Sequence, residues 1–124
     1  MCPAVGQGAL AIEARADDNR TLDRLAALDH AATRRATAAE RTLLAALGGG
    51  CQVPIGALAQ ETGGRTHLTA MVAAPDGSRI LRAAAESAEP IEAGRAAAEQ
   101  LLREGARRLL DEVYGRQAPV AESP

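Results

Sequence analysis

Tryptophan and phenylalanine are absent from this 124-residue chain, and tyrosine occurs once, at Tyr114. An aromatic core is therefore excluded; much of the 47% hydrophobic share is alanine, so the core must be aliphatic and thin. Cysteine is scarce as well. Cys2 and Cys51 are too few for a disulfide framework or a four-ligand zinc site, which points to a reducing compartment. Basic charge is not in excess either: 14 Lys+Arg against 16 Asp+Glu leave a net charge of -2. Such a chain has no positive field to hold a nucleic-acid backbone or an anionic membrane surface. No run approaches the roughly 20 apolar residues that span a bilayer, and no charged segment followed by an apolar stretch opens the sequence. The chain reads as one compact cytoplasmic domain with some excess length, taking neither nucleic acid nor membrane as partner.

Within this frame the pattern alternates between two periods. Residues 5–14 begin with a glycine-flanked glutamine and continue as an apolar run, which predicts a short strand. Asp17, Asp18 and Asn19 offer helix caps, and Leu22, Leu25 and Leu28 recur at three-residue spacing, predicting a short helix. Asp29 can cap a second helix, on which Ala32, Ala36, Ala39, Leu43 and Leu47 form one face and Arg34, Arg35, Glu40 and Arg41 take the others. Three glycines, 48–50, end it. Three extended segments follow, at 53–60, 66–74 and 78–85, joined by Gly63-Gly64 and by a Pro75-Asp76-Gly77 turn. On the middle one, His67, Thr69 and Met71 alternate with Leu68, Ala70 and Val72, so one sheet face is packed and the other partly wet. Pro90 opens a last amphipathic helix that runs to about Tyr114, with Gly105 a weak point inside it and Gly115 able to end it. The expected fold is α+β: a small three-stranded antiparallel sheet with about three helices on one face, preceded by an orphan N-terminal strand. There is no internal repeat.

Two stretches invite chemistry. Around Cys51 stand four glycines and Pro54, a costly arrangement for packing and a suitable one for letting another group approach the backbone. A loop cysteine can act as a nucleophile through its thiolate, although a preceding helix C-terminus disfavours that charge. The bland alternative is a small buried side chain. A Cys/His pair would need His30 or His67, which suit a cap and a strand surface better, and Cys2, Cys51 and the histidines lack any metal-ligand spacing. In the second stretch Gly6 and Gly8 flank Gln7. This is either a turn entering a strand, or a hinge whose glycines absorb dihedral change while Gln7 offers its amide to a ligand. Arg34, Arg35 and Arg41 read as a solvated face paired with Glu40 or Asp29, with carboxylate binding as the sharper alternative.

In order, the segments PAVGQGALAIEAR at 3–15, LDH at 28–30, AAER at 38–41, GGCQVPIG at 49–56 and PDGS at 75–78 closely resemble the porphobilinogen deaminase (hydroxymethylbilane synthase) family, in its C-terminal part only. The resemblance implies that Cys51 carries a dipyrromethane cofactor through a thioether. Four porphobilinogen units are condensed onto that cofactor with loss of ammonia. Gln7 and Gly8 match the cleft-side hinge segment, as cofactor-binding residues. Gly48 departs from the acidic residue that many members carry there, and Cys2 lies just ahead of the matched motif.

The same resemblance divides the chain into residues 1–20, a hinge segment and strand belonging to a first domain; residues 21–115, the cofactor-bearing domain; and residues 116–124, a flexible tail. The family's catalytic aspartate and most of its substrate-binding arginines lie on two preceding domains, so no catalytic residue is expected in this chain and none of the activity is expected from it alone. The missing N-terminal domains are then its partners, whether the chain is a natural product, an excised piece or half of a split enzyme. The competing reading is a non-catalytic binding module that self-associates through the N-terminal strand.

Overall fold

The computed structural model describes residues 1–49 and 54–117. Helix α1 (Asn19–Leu25) is capped by Asp18, whose carboxylate accepts from the Thr21 N–H and hydroxyl, and a 3₁₀ turn (Ala26–Leu28) continues it. Helix α2 (Ala31–Ala46) is capped by His30, whose Nδ1 accepts from the Thr33 N–H at 3.2 Å. Asp29, expected as that cap, instead pairs with Arg34 at 2.6 Å. Strands β1 (Ile55–Thr62), β2 (Arg65–Ala73) and β3 (Ile80–Ser87) form an antiparallel meander in the order β1-β2-β3, with Leu58, Thr69 and Ala84 in register. The chain ends in helices α3 (Pro90–Arg103) and α4 (Ala106–Gln117).

Local chemistry explains the turns. Gly63 and Gly64 hold φ of 59° and 74°, the two positive values that a two-residue hairpin needs to match strand twist. In the second connection the Gly77 N–H reaches the Ala74 carbonyl at 2.9 Å, which leaves Pro75 at the first central position. The sheet's inner face carries Ala57, Leu68, Ala70, Val72, Leu81 and Ala83, all buried. Against it pack α2 through Ala39, Leu43 and Leu47, and α3 through Ala93, Ala97 and Leu101, while Leu109, Leu110 and Val113 of α4 complete the core. The core is aliphatic, as the composition requires. Each fully buried leucine contributes about 2–3 kcal/mol. Because so many core positions are alanine, the helices must approach closely, and a Cβ at Gly94 of α3 would lie 2.5 Å from the Ala39 carbonyl oxygen of α2.

Three expectations are corrected. The strand predicted over 5–14 does not form. Residues 5–8 make two successive turns, closed by bonds from Gln7 N–H to the Ala4 carbonyl (3.1 Å) and from Ala9 N–H to the Gly6 carbonyl (3.2 Å). A strand needs a neighbour, and among the described residues of this segment only Ala4 has one, in an isolated antiparallel bridge to Gly56. The long last helix is two helices, because Gly105 adopts φ 99° and the Arg79 guanidinium donates to the exposed Glu104 carbonyl at the break. Gly115 does not end the second of these, which runs to Gln117; the remainder of the expected tail, residues 118–124, lies outside the described residues.

Candidate functional site

Cys51 also lies outside the described residues, with Gly50, Gln52 and Val53, but both ends of its loop are placed. Helix α2 finishes in a Schellman cap. Gly48, at φ 68°, donates to the Ala45 carbonyl at 3.0 Å, and Gly49 donates to the Leu44 carbonyl at 3.1 Å. Fully buried Leu47 fixes this end in the core. Helix α4 then grips it from the side: Arg107 Nη1 donates to the Leu47 carbonyl at 3.3 Å and the Tyr114 hydroxyl to the Gly48 carbonyl at 2.8 Å. At the other end, the Pro54 carbonyl accepts from the Ala73 N–H at 3.0 Å before Ile55 enters β1. The Arg107 charge stands at the negative end of the α2 dipole.

The second candidate segment lies along the free edge of β1. The Pro3 carbonyl accepts from the Ala57 N–H at 2.9 Å, and Gly56 lets the segment close in, since a Cβ there would sit 2.9 Å from the Cys2 carbonyl oxygen. Gly6 and Gly8 hold φ of 71° and 82°. Gln7 is exposed, and its Oε1 accepts from the Ala4 N–H at 3.1 Å. Gly6, Gln7, Gly8, Thr37, Glu40 and Leu58 line an open cleft of about 240 Å³. Thus Gln7 and Gly8 share a cleft with Leu58 of β1, the strand that leaves the cysteine loop.

Glu40 was expected on a solvated face and is instead 6% exposed. Its Oε2 accepts from the Gly6 N–H at 2.7 Å and its Oε1 from the Ala59 N–H at 2.9 Å. Four residues after Ala36 and three before Leu43, it falls on the buried stripe of α2, so helical spacing carried the signal. Of the arginines, Arg34 is exposed and paired with Asp29 as expected. Arg35 is not simply solvated: it bonds Glu61 at 3.0 Å and the Ala88 carbonyl at 2.6 Å, tying α2 to the sheet and to the start of α3. Burial by itself would raise the Glu61 carboxyl, but the hydroxyl of fully buried Thr66 and the Arg35 guanidinium hold it below its ordinary value of 4.5. On the outer sheet face the Arg65 guanidinium lowers Glu86 in the same sense, with His67 3.2 Å from it. His30 caps α2 and His67 lies on that outer face, beside Glu86. Arg107 and Tyr114 escaped the sequence reading, because their target carbonyls are distant in the chain and no spacing rule connects them.

Residues 34–103, from the first turn of α2 through the loop and sheet to the end of α3, match the family model of the porphobilinogen deaminase C-terminal domain. The chain belongs to the porphobilinogen deaminase family. That places it among the transferases of porphyrin biosynthesis, a family that uses a dipyrromethane cofactor. The matched stretch includes Glu40 and the position of Cys51, and it begins after Gln7 and Gly8. Among the described residues, no helix of this porphobilinogen deaminase domain is long and apolar enough to cross a membrane.

Proposed function

We propose that this chain supplies the cofactor-bearing domain of a hydroxymethylbilane synthase acting in the cytoplasm, with Cys51 as the covalent anchor of a dipyrromethane and with Gln7 and Gly8 on the cleft wall. The observation that carries the reading is the loop stem: the five residues 49–53, with the thiol at their centre, span two fixed points, one clamped by Arg107 and Tyr114 and the other held by Ala73. An anchor must hold its load in one place while partners change, and a short loop on rigid ends meets that requirement. The donor set fits the group as well. A thiol forms a thioether by adding to the exocyclic methylene carbon of an electrophilic methylene-pyrrole: the C–S bond replaces the C=C π bond, whose electron pair enters the ring, and the thiol's proton goes to the ring nitrogen.

When bound, the dipyrromethane supplies the primer on which four porphobilinogen units are condensed with loss of ammonia. Cys51 then serves as a tether and takes no part in turnover, while Gln7 presents its amide to the cleft from a backbone turned by two glycines. Turnover itself requires the family's other two domains, which carry the general acid and the carboxylate-binding arginines, so the isolated chain is inactive. The proposed organisation is residues 1–20 as hinge and first-domain segment and residues 21–117, through the end of α4, as the cofactor-bearing domain.

The test is the intact mass of the chain after co-expression with the family's first two domains, with a Cys51→Ser control and an acid Ehrlich test for pyrroles. An added dipyrromethane mass that disappears in the control is the expected result; an unmodified mass in that co-expression sinks the anchor assignment. A second reading, self-association of the isolated chain, is favoured by Leu10 and Ile12, which are 96% and 60% exposed in a segment without strand partners among the described residues.

A further inference from the structure

Glu40 has no role in the loop stem, yet it is the most buried carboxylate among the described residues, and its two oxygens go to two different parts of the chain. A carboxylate in this setting is expensive. Among the described residues it meets no cation at ion-pair distance, so backbone N–H groups alone offset its desolvation. An apolar side chain at this point of the α2 stripe would fill the space without that cost. The carboxylate therefore serves the two amides it binds.

Those amides explain the arrangement. Ala57 and Ala59 direct their N–H groups away from β2, at the open edge of the sheet, and such edges need partners. The Pro3 carbonyl takes the first and Glu40 Oε1 the second. Glu40 Oε2 then takes the Gly6 N–H, the next point at which the N-terminal segment is held after the Ala4–Gly56 bridge. Past Ala9 the chain runs exposed to Ala16 without a strand partner. Gly6 is thus the last fixed point before the free stretch, and Gln7 follows it directly.

We infer that Glu40 is a positioning residue: its carboxylate latches the Gly6–Gly8 turn to β1 and so fixes where Gln7 is held relative to the strand that leaves the cysteine loop. The consequence for the cleft rests on the functional reading above; the latch itself does not. A glutamate side chain can accept from both amides at once, one through each oxygen. Glutamine keeps the length and volume but offers one acceptor, and turns an NH₂ group toward the other N–H.

Amide hydrogen exchange on the ¹⁵N-labelled chain, with Glu40→Gln beside it, tests the latch. In the wild-type protein the Gly6 and Ala59 amides exchange at least about tenfold more slowly than the amides of residues 10–14. The Gly6 amide proton resonates downfield, as befits a bond to a carboxylate. Glu40→Gln removes that downfield position and speeds exchange at Gly6, at Ala59 or at both by about tenfold, while the β2–β3 ladder keeps its protection. Wild-type Gly6 exchange as fast as in residues 10–14 overturns the inference whatever the variant does. So does a folded Glu40→Gln protein with both amides unchanged. If the variant fails to fold, the wild-type comparison decides alone, protection and a downfield Gly6 proton sustaining the latch. Pyrrole loading at Cys51 is read by mass and is independent of these signals, so the failure of either reading is recognisable separately.

Discussion

The hydroxyl of Tyr114, the only aromatic residue of the chain, donates to the Gly48 carbonyl at 2.8 Å and so joins the last helix to the cap of α2 at the base of the cysteine loop. Helix C-termini leave carbonyls without intrahelical partners, and here the partner comes from a different helix. Tyr114→Phe keeps the ring and removes only the donor. Because the tyrosine is partly exposed, water replaces some of the loss, and the cost falls at the lower end of about 0.5–1.5 kcal/mol. Urea unfolding followed by circular dichroism measures it; an unchanged midpoint would mean that the bond adds nothing to the docking of α4.

Gly94 and Gly115 are both helical glycines, and their surroundings set opposite expectations. A Cβ at Gly94 meets the Ala39 carbonyl oxygen at 2.5 Å and Thr42 Cβ at 2.8 Å, so alanine there forces α3 away from α2. Overpacking of this kind costs about 1–3 kcal/mol and outweighs the roughly 1 kcal/mol that alanine gains in helix propensity. At Gly115 nothing lies within 4 Å, and alanine is neutral or stabilising by up to about 1 kcal/mol. The pair is best compared by the denaturation midpoints of the two single variants, and a Gly94→Ala protein as stable as the parent contradicts the close packing of the helices.

How much of this was legible in the sequence follows from the range of each interaction. The meander was readable because alternation and turn residues are local, so that Gly63-Gly64 and Pro75-Asp76-Gly77 named their own connections. Helices α2 and α3 were readable from apolar spacing, and Gly105 was seen as a weakness but not as a break, since its positive φ is stabilised in part by Arg79, far away in the chain. The strand over 5–14 failed for the converse reason: an apolar run states a preference for extended backbone, but the ladder must be supplied by a neighbour. At the site, the loop and the Gln7 segment were found from their glycines, whereas Arg107 and Tyr114 reach carbonyls that only the folded chain brings to them.

Glu61 gives the fold an acid sensitivity whose sign is fixed by its neighbours. Its carboxyl is held below the ordinary 4.5 in the folded chain, so its contribution is fully present above that value and is lost as pH falls through the lower folded value. Replacing Thr66 by valine or Arg35 by methionine removes one of the two hydrogen-bond donors that stabilise the ionised form. Stability should then fall near neutral pH and depend less on pH in the acid range, so the difference from the parent narrows as Glu61 is protonated in both. Thermal melts between neutral pH and about pH 3 follow this; a constant difference across the range would show that the substitutions act through packing alone.

The exposed stretch after the latch predicts how the isolated chain behaves in solution. Leu10 and Ile12 are exposed in a segment that has no strand partner among the described residues, while the β1 edge is already covered by Pro3 and Glu40. The segment itself is therefore the element free to pair with a second copy, through its backbone and through these two side chains. Sedimentation velocity on the isolated chain should show association that grows with concentration, and Leu10→Ser combined with Ile12→Ser should reduce it to monomer without lowering the unfolding midpoint. Gly56→Ala should act in the other direction. Its new Cβ meets Cys2 Cβ and the Cys2 carbonyl oxygen at 2.9 Å, lifts the N-terminal segment from β1 and bares the Ala57 amide, adding a second adhesive edge. A wild-type chain that remains monomeric at every concentration would show that exposed apolar residues here are not enough to join two copies, and would leave the latch at Glu40 standing on its own exchange data.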